Sequence, residues 1–115
     1  MAGSPAIRGV QDVSMARDRL FLLHAYADPD HGGEIFYCEA CMTVEGLLAT
    51  YPDKAENIDI VHVDWPRPRT AVVEAIGEDN QNCPALVFAE GGFANDLPGL
   101  LEALHTRHGF PRPHP

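Results

Sequence analysis

The hydrophobic period of this chain switches back and forth between that of a strand and that of a helix. This alternation narrows the fold more than any other feature. Arg19 to Ala25 reads as a buried strand, with Leu20-Phe21-Leu22-Leu23 as an unbroken apolar run. From Cys38 to Tyr51 the period turns helical, with Val44, Leu47, Leu48 and Tyr51 on one face and Pro52 as the stop. Ile58 to Val63 alternates as a second strand, and Thr70 to Gly77 as a short helix with Val72, Val73 and Ile76 inward. Pro84 to Phe88 gives a third strand, and Gly91-Gly92 turns the chain into a fourth around Phe93. Asp96 caps a last helix with Leu97, Leu100, Leu101 and Leu104 on its apolar face, and Gly109 ends it. The order is β-α-β-α-β-β-α. Strands joined through a helix run parallel with a right-handed crossover, so an α/β fold with a mixed four-stranded sheet and helices on both faces follows.

Composition removes whole classes of function. The chain has 115 residues, 45% of them hydrophobic, which suits one globular domain and not a disordered segment. Seventeen acids against eight Lys and Arg give a net charge of −9, the wrong sign for a nucleic-acid partner. No apolar run approaches the roughly 20 residues that span a membrane, so no membrane partner is expected. Met1 to Gln11 has no apolar signal core, so a cytoplasmic location with reduced thiols is expected. Residues 1–17 read as a flexible arm, with Met15 an alternative start, and residues 111–115 as a proline-broken tail. Asp28 to Glu34 reads as a long turn-rich loop, and Trp65-Pro66-Arg67-Pro68-Arg69 as a stiff extended one.

The three cysteines carry the chemistry. Cys38-Glu39-Ala40-Cys41 is a C-x-x-C motif where a helix begins. One helical turn brings positions i and i+3 within disulfide reach, roughly 5–6 Å between Cα atoms. A helix N-terminus favours a thiolate at Cys38, the form that attacks disulfides, and Cys41 one turn in would resolve the mixed disulfide. Against that, Glu39 and the loop acids Asp28, Asp30 and Glu34 bring negative charge toward the same helix end. Two half-buried structural cysteines, or half of a zinc site, use the same spacing.

The element order, the C-x-x-C at the first helix and the proline opening strand three resemble the thioredoxin-like and glutaredoxin-like superfamily in its minimal form. That resemblance implies a thioredoxin-like domain over residues 18–110. It also implies a cis peptide at Cys83–Pro84, with Pro84 facing the cysteine pair. Phe36-Tyr37-Cys38, Val44-Glu45-Gly46-Leu47-Leu48-Ala49, Pro66-Arg67-Pro68-Arg69 and Arg107-His108-Gly109-Phe110-Pro111 are similar to a bacterial thioredoxin-like family of unknown function. The Glu39-Ala40 pair departs from the proline usual between thioredoxin cysteines.

Three function classes stay open. The first is a small thiol-disulfide oxidoreductase, with Cys38 and Cys41 catalytic and Cys83, Pro84, Trp65, Arg67 and Arg69 at the substrate. It needs no cofactor, and it would exchange with protein or low-molecular-weight thiols through glutathione or a thioredoxin system. Arg67 and Arg69 would meet a glutathione carboxylate, or balance Asp64 and Glu74. The second is a non-catalytic binding module on the same fold. The third is a metal-binding protein in which Cys38, Cys41 and Cys83 take His31 or water as fourth ligand. Cys83 also reads as a small core filler or as a rival disulfide partner for Cys38. His24 and His62 read as structural, and His105 and His108 as cations at a helix C-terminus.

Overall fold

The computed structural model describes residues 17–115. All of the arm expected over residues 1–17 except Arg17 lies outside the described residues. The central strand is β1 (Asp18–Leu23), in which Leu20, Phe21 and Leu22 are at most 1% exposed. A strand covered on both faces cannot alternate with polar residues, which is why this segment is a continuous apolar run. On one side β1 pairs in parallel with β4 (Ile58–Val63), Leu20 opposite Ile60. On the other it pairs antiparallel with β5 (Ala85–Val87), Leu20 opposite Leu86. β5 pairs antiparallel with β6 (Phe93–Ala94), so the sheet order is β4-β1-β5-β6. The mixed four-stranded sheet expected from the element order is the one found.

Two layers of helix close the sheet. α1 (Glu39–Thr50) and α4 (Leu97–His108) cover one face. There Cys41, Val44 and Leu48 meet Leu20, Leu22, Leu100 and Leu104. Cys41, Val44 and Leu48 are three and four residues apart, the spacing that puts them on one stripe of the helix. α3 (Thr70–Ile76) covers the other face, with Val72 against Phe21, Ala85 and Val87. Fully burying a side chain such as Phe21 or Leu22 stabilises by about 1.5–3 kcal/mol. The last helix starts at Asp96, whose carboxylate accepts the Gly99 amide at 2.9 Å, and ends at Gly109 in the left-handed region at φ 77°. Phe110 then turns inward, fully buried and edge-on to Tyr51 at 6.2 Å.

Three segments differ from the sequence expectation. Asp28–Glu34 is not a free loop. β2 (Tyr26–Asp28) and β3 (Glu34–Phe36) form a separate two-stranded sheet, Ala27 opposite Ile35. Its tip is a 3-10 turn over Pro29–His31, closed by the Asp28 carboxylate on the Asp30 amide and by the Gly33 amide on the Asp28 carbonyl. The turn residues were readable, but three-residue strands leave no period to read. Trp65–Arg69 is bent at residues 65–67, not extended, and Arg69 Nε donates back to the Trp65 carbonyl at 2.8 Å. Its Arg67–Pro68 peptide is cis. After α1, Pro52 opens one further short turn, α2 (Pro52–Ala55), where a plain stop was expected.

Candidate functional site

Cys38 stands at the N-cap of α1, just beyond β3 and Tyr37. Its backbone is extended, and its sulfur accepts the Cys41 amide at 3.2 Å. The thiol thus takes the role that Ser or Asp usually fills at a helix start, satisfying one of the free N–H groups there. Cys38 is partly exposed. Cys41, one turn in, is fully buried, and its sulfur accepts the Leu23 amide at 3.5 Å where β1 ends. Burial, and after it the neighbouring Cys38, push the Cys41 thiol up to about 12. Strand end and helix start therefore meet through the Cys41 sulfur. All three cysteines are free thiols.

Cys83 approaches from β5. The Cys83–Pro84 peptide is cis, as expected, and the Cys83 carbonyl oxygen lies 3.9 Å from Cys38 Sγ. The Cys83 sulfur itself lies 3.9 Å from the Gln81 carbonyl, close enough to Cys38 to feel its charge. Burial pushes the Cys83 thiol up, and Arg69 and Arg67 pull it partly back. Pro84 is buried beneath this turn.

The two arginines part company. Arg69 is 7% exposed, and its guanidinium donates to the carbonyls of Trp65 (2.8 Å) and Gln81 (2.7 Å). Its amide is held by Gln81 Oε1 at 2.7 Å, so Arg69 ties the Trp65 loop to the Cys83 loop. Arg67 is exposed, 3.4 Å from Asn82 Oδ1, and is the arginine open to a ligand. Trp65, Pro66, Arg67 and Arg69 line a shallow pocket of about 380 Å³. Trp65 is half-buried and stacks on Tyr26 of β2 at 4.7 Å and 5°. Sequence reading missed Tyr26 as its partner, because the β2–β3 excursion was not legible.

His31 does not join the cysteines. Its Nδ1 is 2.9 Å from Asp28 Oδ2, and its ring lies edge-on to Phe36 at the hairpin tip. Among the described residues no three His, Cys, Asp or Glu side chains are placed to hold a metal ion, so the Cys38–Cys41–Cys83–His31 set does not form. His62 bonds Glu45 of α1 at 2.8 Å and stacks on His24 at 5.4 Å.

At the far end of β1 lies a second polar cluster that sequence reading missed. Asp18, 4% exposed, accepts four hydrogen bonds. They come from the Ala89 amide (2.8 Å), Arg107 Nε and Nη2 (2.7 Å each) and His108 Nε2 (2.8 Å). Burial alone would raise this carboxyl, but Arg107, the Ala89 amide and His108 together hold it well below the usual carboxylate range. Arg107 also reaches Glu90 at 2.7 Å and lies over the Phe88 ring at 4.2 Å. Among His105 and His108, read as helix-end cations, His108 is spent on Asp18 and His105 on the Phe110 carbonyl at 2.8 Å. An Asp-Arg pair opening a strand that is otherwise apolar, with Arg-His at the last helix end, was the available signal.

Against known proteins, a family model described as "Protein of unknown function (DUF3088)" matches residues 17–112. No curated protein and no solved structure matches the chain. No helix among the described residues is long and apolar enough to cross a membrane.

Proposed function

The chain belongs to the DUF3088 family, whose function is unknown, and from that premise we propose that it is a small thiol-disulfide oxidoreductase of thioredoxin-like kind. The observation that carries the reading is the placement of Cys38. Its partly exposed sulfur sits on the α1 N-terminus, holds the Cys41 amide, and faces the Cys83 carbonyl. Apart from the β2–β3 hairpin and α2, the element order is β-α-β-α-β-β-α, and with the sheet order β4-β1-β5-β6 it supports a thioredoxin-like reading.

The chemistry runs in two exchanges. The Cys38 thiolate attacks one sulfur of a substrate disulfide, forming a mixed disulfide and expelling the other sulfur as a thiolate that takes a proton. Cys41 then gives up its proton and attacks Cys38 Sγ. The Cys38–Cys41 disulfide forms, and the second substrate thiol leaves. The substrate gains two electrons and the protein loses them. A dithiol reductant, or two molecules of a monothiol such as glutathione, returns the pair to its free form. Because burial holds the Cys41 proton tightly, the departing thiolate is the group that takes it. A reducing compartment such as the cytoplasm suits three free thiols.

The test is turnover with insulin or a small neutral disulfide. Wild-type protein should turn over, Cys38→Ser should not, and Cys41→Ser should accumulate a mixed disulfide visible by intact mass. No exchange by the wild type with any thiol couple overturns the reading. Burial of Cys41 favours a second one, in which the domain binds partners and Cys41 merely anchors β1 to α1 through the Leu23 amide. Peptide mapping after mild oxidation separates them. A Cys38–Cys41 disulfide supports the enzyme, and its absence supports the binding module.

A further inference from the structure

Four large apolar side chains stand exposed among the described residues, and three of them flank Cys38: Ile35 (66%), Tyr37 (61%) and Met42 (42%). Scattered exposed hydrophobics are ordinary, but clustering around one reactive group is not. Tyr37 is next to Cys38, and Met42 lies one helical turn beyond it, its amide on the Cys38 carbonyl at 2.9 Å. Ile35 is three residues back on β3, about 10 Å along an extended chain. Acids ring the same patch. Asp30 and Glu34 lie on the hairpin and Glu39 opens α1, and among the described residues none of the three makes an ion pair. Arg67 is the opposing charge, on the Cys83 side of the site.

We propose that the β2–β3 hairpin, with Tyr37 and Met42, is a docking surface for a basic, apolar polypeptide segment carrying the cysteine that Cys38 exchanges with. This rests on the oxidoreductase reading and names its substrate class. Charge selects the occupant. An apolar collar edged by unpaired carboxylates in a chain of net charge −9 attracts lysine- and arginine-bearing segments and disfavours acidic ones. The hairpin is then a specificity element: it projects Ile35 beside the site on a strand that, among the described residues, pairs only with β2.

The experiment compares two synthetic peptides, Lys-Leu-Cys-Leu-Lys and Glu-Leu-Cys-Leu-Glu, each activated as its mixed disulfide with 2-thiopyridine. Cys38 forms a mixed disulfide with the peptide and releases pyridine-2-thione, followed by absorbance. The basic peptide should react roughly tenfold or more faster at low ionic strength. That ratio should collapse toward one near 1 M salt, where the screening length is about 3 Å. Glu34→Lys combined with Glu39→Lys should abolish or invert the preference, and Ile35→Ser should slow the basic peptide. Equal rates for the two peptides, or a preference that survives the charge reversal, overturn the proposal. If sedimentation finds two copies and Ile35→Asn yields one, a second copy covers the patch and the proposal falls. Two controls separate it from the parent reading. A wild type inert toward neutral dithiodipyridine removes the enzyme reading. Cys38→Ser then still reports docking by fluorescence anisotropy, with serine replacing the peptide cysteine, and equal affinity for both peptides there removes the docking surface.

Discussion

Replacing Asp18 by Asn changes almost no volume but removes a charge on which four donors converge. Oδ1 accepts from the Ala89 amide and Arg107 Nη2; Oδ2 accepts from Arg107 Nε and His108 Nε2. The carboxamide of Asp18→Asn keeps one acceptor oxygen. With that oxygen on the Ala89 side, its NH2 group points at two further N–H donors. Two hydrogen bonds to a charged acceptor are lost, each about 1.5–3 kcal/mol. Breaking a buried ion pair costs about 3–5 kcal/mol, within the span of those two bonds, and is the cost expected here. In urea, followed by Trp65 fluorescence, a slope of roughly 1–3 kcal/mol per M makes this a midpoint shift of about 1–5 M. The same network fixes the sign with pH. The folded carboxyl lies below its unfolded value of about 3.9, so its contribution is complete above that pH and is lost in stronger acid. The gap between wild type and Asp18→Asn should therefore be constant near neutrality and close below about pH 4. Glu90, 66% exposed, meets the same Arg107 in solvent, where its charge is screened, so Glu90→Gln should shift the midpoint far less than Asp18→Asn. A midpoint shift for Asp18→Asn below about 0.5 M, or a gap that persists in strong acid, would refute the assignment of these bonds as stabilising.

The buried Cys41 thiol gives the opposite pH sign. Its folded value of about 12 lies above the ordinary 9.0, so its stabilisation is present below pH 9 and is lost as pH climbs toward 12. The denaturation midpoint should fall across that range, and less steeply in Cys41→Ala. Arg69→Lys should lower stability by about 2–4 kcal/mol by thermal unfolding, because a lysine cannot serve both the Trp65 and Gln81 carbonyls in one plane. Arg67→Lys, at the surface, should stay within about 0.5 kcal/mol.

The sheet and its helices were legible because burial writes a period. A strand covered on both faces is a continuous apolar run, and α1 and α4 carry apolar stripes with Asp96 and Gly109 as their end signals. The cysteine pair was legible because spacing and a helix start coincide. What escaped was set by tertiary pairing. Tyr26 and Ile35 lie in strands of three residues, too short for any period, and Arg69 looks the same as Arg67 until the Gln81 and Trp65 carbonyls are in place. Asp18 is one acid among seventeen until the chain brings Arg107 and His108 back to it.

That return has a consequence for how the protein is made. The central strand, β1, is the first described element synthesised, yet its hydrogen-bonding neighbours lie at residues 58–63 and 85–87. Its opening carboxylate waits for Arg107 and His108, 89 and 90 residues downstream. The strand on which the core is built therefore stays unsatisfied, with Leu20-Phe21-Leu22-Leu23 open to neighbours, until those downstream segments have been made. Closing such distant contacts costs loop entropy before any of them stabilises, so completion of the core is gated by arrival of the last helix. A chain stopped before Arg107 holds the whole cysteine motif and most of the sheet sequence, and still lacks the residues that lock the middle strand in place.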